Sequence, residues 1–284
     1  MFVLIGLIIV IVSLLGGFTV AGGKILNLIV PAEYIIIIGV ATGALMIANP
    51  LPVLIRIIGG ALGILKGPKV SKAAYLELLK LLYELFQFAK REGLIALEPH
   101  VEKPESSSIL SKYRSFLSNH HAVHFLCDTL KVILSGGVPA HDLDELMELD
   151  LESMHEEEEI APNSLNTMAD GFPGLGIVAA VCGVIVTMGS INEGPEMVGH
   201  HIAGALVGTF LGVMACYGII GPIAQNMAKI VAKEHRYLMC IKAALLSFAK
   251  GAPGSVAIEY GRRAIDPEFR PSFKETEEAV KVSK

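Results

Sequence analysis

The sequence predicts an all-α integral membrane protein with four transmembrane helices and a helical cytoplasmic domain. Three observations lead there. Residues 1–23, 34–55, 171–192 and 197–228 contain no Asp, Glu, Lys or Arg, and about 20 apolar residues suffice to cross a bilayer as a helix. The charges crowd into the stretch between the second and third runs and into the tail after the fourth. Those charged stretches repeat leucine at helical spacing. The formal net charge of −5 singles out no class of partner.

The first span is read at 2–22. It has no basic residue ahead of the apolar run and no clear small-residue cleavage site before Lys24, so a retained helix is expected rather than a cleaved leader. The second span is read at 34–52. Pro50, Pro52 and Pro68 punctuate its exit, and Gly59, Gly60 and Gly63 predict an interfacial turn or helix. In the long connection, KAAYLELLKLLYELFQFAKREG (72–93) is an amphipathic helix stopped by Gly93. ESSSILSK (105–112) is a connector with a helix start. NHHAVHFLCDTLKVILSGG (119–137) is a second helix, and HDLDELMELDLESMHEEEE (141–159) is a third with an acidic outer face. The third and fourth spans are read at 171–191 and 201–222. Extensions of spans 2 and 3 are expected within the cytoplasmic part. The division is therefore 1–55 (spans 1 and 2), 56–169 (cytoplasmic helical domain), 170–223 (spans 3 and 4) and 224–284 (cytoplasmic tail).

Lys and Arg set the orientation. Arg56, Lys66, Lys69, Lys72, Lys80, Lys90, Arg91, Lys103, Lys112, Arg114 and Lys131 lie in the long connection, and Lys229, Lys233, Arg236, Lys242 and Lys250 follow span 4. Of the two short connections, 23–33 holds one base, Lys24, and 192–200 holds no base, only Glu193 and Glu196. An excess of bases beside span ends marks the cytoplasmic side. Both termini and the large loop are thus expected in the cytoplasm.

Chemistry is sparse. Cys127, Cys182, Cys216 and Cys240 are widely separated, with neither a disulfide frame nor zinc spacing. There is no HExxH, no GxSxG and no pair of membrane carboxylates, so no enzyme is expected. His120 and His124 stand at i, i+4 with His121 between them, a spacing that fits a metal on one helix, but Asp128 is the sole further ligand at a fixed offset and a polar face explains them better. His200 and His201 sit at the outer mouth of span 4, where interfacial placement and titration both fit.

Span 4 carries Gly204, Gly208 and Gly212 at i, i+4, i+8. Span 3 carries Gly176, Ala179, Ala180 and Gly183, and span 2 adds Gly39 and Gly43. Small residues so spaced let helices approach closely in lipid, either with one another or with a helix from another chain. The middle thirds of the spans hold no Asp, Glu, Lys or Arg. Ion transport usually needs one, so the chain either moves no ions or borrows a carboxylate. Thr209 is the chief polar side chain deep in span 4; Thr42 and Thr187 lie nearer the ends.

Several blocks, in order along the chain, resemble the MotA family of flagellar motor stator proteins, within the wider MotA/TolQ/ExbB proton-channel group. They are Gly22-Gly23 with PAE at 31–33, AKREGLIALE at 89–98, PNSL at 162–165, FPGLGIVAAVCG at 172–183, ALVGTFLG at 205–212, YGIIGP at 217–222, AIEYGRR at 257–263 and RPSF at 270–273. The resemblance implies a flagellar stator subunit. It implies a bacterial inner-membrane location, a ring of five chains around a dimer of the single-span protein MotB, and torque on the rotor protein FliG. MotB would bring the ion-binding Asp. By the same resemblance Thr209 and Tyr217 line the ion pathway, and Pro173 and Pro222 shape the cytoplasmic ends of spans 3 and 4. Lys90, Arg91 and Glu98 would meet the rotor, with Asp150 a weaker candidate. Sodium-driven relatives carry Thr where Ala180 stands. A dehydrated hard cation needs several oxygens and alanine supplies none, so protons are the expected coupling ion, with no cofactor. The alternatives are a sodium-driven stator and an energiser of envelope transport resembling ExbB and TolQ, which has three spans.

Overall fold

The computed structural model describes residues 2–67, 70–189 and 191–281; Pro68 and Lys69, counted above, lie outside the described residues. Every regular element among the described residues is helical: α1 (Phe2–Val20), α2 (Pro31–Ala48), α3 (Leu51–Gly63), α4 (Lys72–Glu92), α5 (Glu98–Glu102), α6 (Arg114–Leu117), α7 (His120–Ser135), α8 (Ala140–Gly189), α9 (Pro195–Met214), α10 (Gly221–Ala249), α11 (Gly254–Ala264) and α12 (Phe273–Lys281), with short 3₁₀ turns between some of them. The chain forms two compact units, 1–67 with 158–229 and 68–157 with 230–284.

The first unit holds the four long apolar helical stretches: α1, α2 with the turn before it, the C-terminal part of α8, and α9. Both boundaries of span 2 differ from expectation. Span 2 starts at Pro31, a proline at the first helical position, where its missing N–H costs nothing. Glu33 is thereby drawn inside the helix. Span 2 then stops at Asn49, and Pro50 opens the separate helix α3, so no extension of span 2 forms. Span 3 does extend: the third loop helix and the span are one 50-residue helix.

Pro173, expected at the cytoplasmic end of span 3, lies inside the long helix α8, as does Pro162. Pro222 lies just inside α10, which follows α9 through a π-helical turn at Ala215–Ile220. In that turn the Gly221 N–H bonds the carbonyl five residues back, at Cys216. A side chain at Gly221 would meet that oxygen at 2.6 Å. The widened turn accommodates a proline that cannot donate a hydrogen bond. Asn49, at the end of α2, accepts a 2.7 Å hydrogen bond from Ser164 of the PNSL stretch.

The second unit has a core of large side chains. Tyr75, Leu78, Leu82, Leu85 and Phe86 of α4 are fully buried, together with Phe125 and Leu126 of α7, and Ile241 and Leu245 of α10. Phe86 stacks on Phe248 with centroids 4.3 Å apart. Ser71 and Asn119 cap α4 and α7 by accepting the Ala74 and Ala122 N–H groups. Gly93 ends α4 at φ 92°, a conformation that favours glycine. The amphipathic stripes read from the sequence therefore point into one shared core.

Candidate functional site

The small-residue faces of α8 and α9 meet each other. A side-chain carbon at Gly176 would lie 2.7 Å from the Gly208 carbonyl oxygen, and one at Gly212 would lie 2.5 Å from the Phe172 oxygen. At Gly183 it would lie 2.8 Å from the Ala205 methyl. These positions have no room for a guest helix, because the chain's own backbones occupy it. Gly39 and Gly43 of α2 face open space instead.

What α9 and the π turn after it leave outward is a stripe of larger residues. Ile202, Leu206, Val213 and Tyr217 are exposed, Tyr217 by 74%. Thr209 falls in this stripe at helical spacing and is half-buried. Among the described residues no hydrogen bond engages its hydroxyl. Thr187, by contrast, is fully buried and donates to the Gly183 carbonyl at 2.8 Å, which leaves its oxygen little scope for other work. On α8, half-buried Pro173 and Ala180 share a face with exposed Ile177, Val181 and Val184. Pro222 is exposed near the start of α10. The expected ion-path residues thus sit on outward faces of the membrane unit, while the glycines beside them are consumed inside it.

One residue was missed by the sequence reading. Glu33 is only 4% exposed, and its Oε2 has no hydrogen-bond partner. Its carboxylate rests where Gly208 and Gly183 lack side chains, with the Ala179 and Ala205 methyls alongside. The available signal was the acid of PAE, one place ahead of an uncharged run.

In the second unit Lys90 and Arg91 occupy the exposed last turn of α4, and exposed Glu98 opens α5 just beyond the Gly93 stop. Lys90 borders a groove of about 480 Å³ lined also by Leu94, Val138 and Gly136. Arg91 donates to Glu92 at 2.8 Å. Asp150 lies half-buried on α8, where burial first and the nearby Asp128 second raise its pKa above the usual carboxylate value. Among the described residues no group of three or more His, Cys, Asp or Glu is placed to hold a metal.

Comparison with known proteins follows the same pattern. Residues 4–93 match the model "Motility protein A N-terminal", and residues 117–239 match the "MotA/TolQ/ExbB proton channel family". Motility protein A of Escherichia coli is 34% identical over 284 residues, covering 100% of this chain and 96% of that protein. The chain belongs to the motility protein A family. Another similar member is chemotaxis protein LafT of Vibrio parahaemolyticus, 36% identical over 273 residues and 96% of each chain. The flagellar MotAB stator complex of Bacillus subtilis contains a chain with TM-score 0.72 at 26% identity, covering 90% of this chain and 92% of that one. A chain of C. jejuni MotAB has TM-score 0.76 at 20% identity, over 95% of this chain and 98% of that one. Family membership and four apolar helices make this a multi-pass membrane protein.

Proposed function

We propose that this chain is the ring-forming subunit of a bacterial flagellar stator that conducts protons together with a MotB-type partner and turns ion flow into torque on the rotor protein FliG. The observation that carries the reading is the outward stripe of α9. It sets the half-buried hydroxyl of Thr209 between Leu206 and Val213, with Tyr217 one turn further. Such a surface suits a partner helix that brings its own acid: apolar packing holds the helix, and the hydroxyl offers one polar contact. The full-length likeness to motility protein A of E. coli supports the same role. Five chains would surround a partner dimer, in the inner membrane, with both termini in the cytoplasm where the bases beside the span ends belong.

Half-buried Ala180 beside this surface favours protons over sodium, since its side chain offers no oxygen to a dehydrated cation. Exposed Lys90 and Glu98 are the proposed rotor contacts; Asp150, half-buried with Asp128 nearby, is less suited. The deciving comparison is a deletion strain that still builds flagellar filaments: it should not swim, and complementation should restore swimming at a speed insensitive to external sodium at fixed pH. Normal swimming after deletion refutes the stator role, and strong sodium dependence refutes proton coupling.

A further inference from the structure

We propose that Glu33 is a proton-binding site belonging to this chain itself, additional to any acid supplied by a partner, and that conduction draws on it. The idea rests on the proton-conducting reading above, but its first test does not.

Glu33 lies in the first turn of α2, at the end joined to the short connection. Its residue is 96% buried by area, the complement of its 4% exposure, yet Oε2 meets no donor. A glutamate at this position of a helix often folds back to cap its N-terminus. Here the side chain instead reaches across to the other two helices. A side-chain carbon on Gly208 would lie 2.2 Å from Oε2, and one on Gly183 would lie 3.4 Å from Oε1. Both glycines, one on α9 and one on α8, therefore leave the space that the carboxylate fills. The Ala179 and Ala205 methyls border the same two glycine positions, and neither titrates.

An ionised carboxylate with no partner is disfavoured among apolar atoms in a membrane. A sodium ion does not fit this lining, because it needs several oxygens and the side chains of Gly183, Gly208, Ala179 and Ala205 offer none. A proton needs only the one free oxygen. A proton arriving from the outer side forms an O–H bond at Oε2, and it leaves by breaking that bond toward water or the partner's carboxylate. The residues Glu33 packs on, Gly208 and Ala179, immediately precede Thr209 and Ala180, so the site backs directly onto the proposed ion path.

The first test is infrared spectroscopy of the full chain in lipid nanodiscs, titrated from neutral to alkaline pH. We expect the carbonyl stretch of a protonated carboxylic acid near neutrality, converting to carboxylate in base and absent from Glu33→Gln. Glu33→Asp, which keeps the acid, should retain a displaced band, so the assignment stands even if the glutamine variant folds poorly. A band that survives Glu33→Gln, that is missing from the unaltered chain, or that sodium removes at fixed pH overturns the site. The second test is swimming. Glu33→Gln should slow it by about tenfold or more, with Glu33→Asp in between and normal membrane levels of protein. Full speed with glutamine overturns the link to conduction. If the unaltered chain supports no proton-driven swimming, the stator reading fails while the infrared result stands.

Discussion

In the unit formed by 68–157 and 230–284, the buried centre is made of Tyr75, Phe86, Phe116, Phe125 and seventeen leucine and isoleucine side chains. In the unit formed by 1–67 and 158–229, α8 and α9 approach closely at Gly176, Gly208 and Gly212, while Ile8, Val12, Ile177, Ile185 and Leu206 face outward. The difference follows from the solvent. Water drives large apolar side chains together, by about 25 cal/mol per Å² removed from contact. Lipid gives no such push, so helices there gain only by close backbone approach, and small residues permit it. Substitutions should therefore do opposite things in the two units.

Truncation should hurt most where large side chains pack. Phe86→Ala removes a stacked, fully buried ring, and a loss of about 3–5 kcal/mol of stability is expected, read by denaturant unfolding of the second unit's helices. Enlargement should hurt in the membrane unit. Gly212→Ala would place a methyl 2.5 Å from the Phe172 oxygen, and a loss of about 1–3 kcal/mol is expected, read as a lowered midpoint of thermal unfolding in detergent. If Gly212→Ala proved neutral, the close α8–α9 approach would be wrong.

A charge effect comes next, confined to the water-facing unit. Hydrogen bonds from Arg262 hold the Glu259 carboxyl at about 2, against burial and with help from Arg263, compared with an ordinary 4.5. Because the folded value is the lower one, the pairing stabilises fully above pH 4.5 and is lost as pH falls toward 2. Its worth is about 0.2–1 kcal/mol after screening. Glu259→Gln should flatten that part of the stability–pH curve. The smallest effect on stability belongs to the outward stripe. Thr209→Val should change unfolding by no more than about 0.5 kcal/mol, yet reduce swimming. Equal loss of stability and motility there would return Thr209 to a merely structural role.

Composition and period alone determined that four helices cross a membrane, that α4 and α7 form amphipathic faces, and that Gly93 ends a helix. These are sums over neighbouring residues, and hydropathy and helical spacing are legible locally. The tertiary structure decided which partner each face has. Glycines at Gly176, Gly183, Gly208 and Gly212 read the same whether they admit a foreign helix or the chain's own, and only the positions of α2, α8 and α9 assign them. Pro222 read as a helix end because a proline lacks a donor; the π turn before it let the helix continue. Glu33 read as the last charge outside a span. Three helices distant in sequence close around its carboxylate, and burial of that kind is a property of packing, which no local window of the sequence contains.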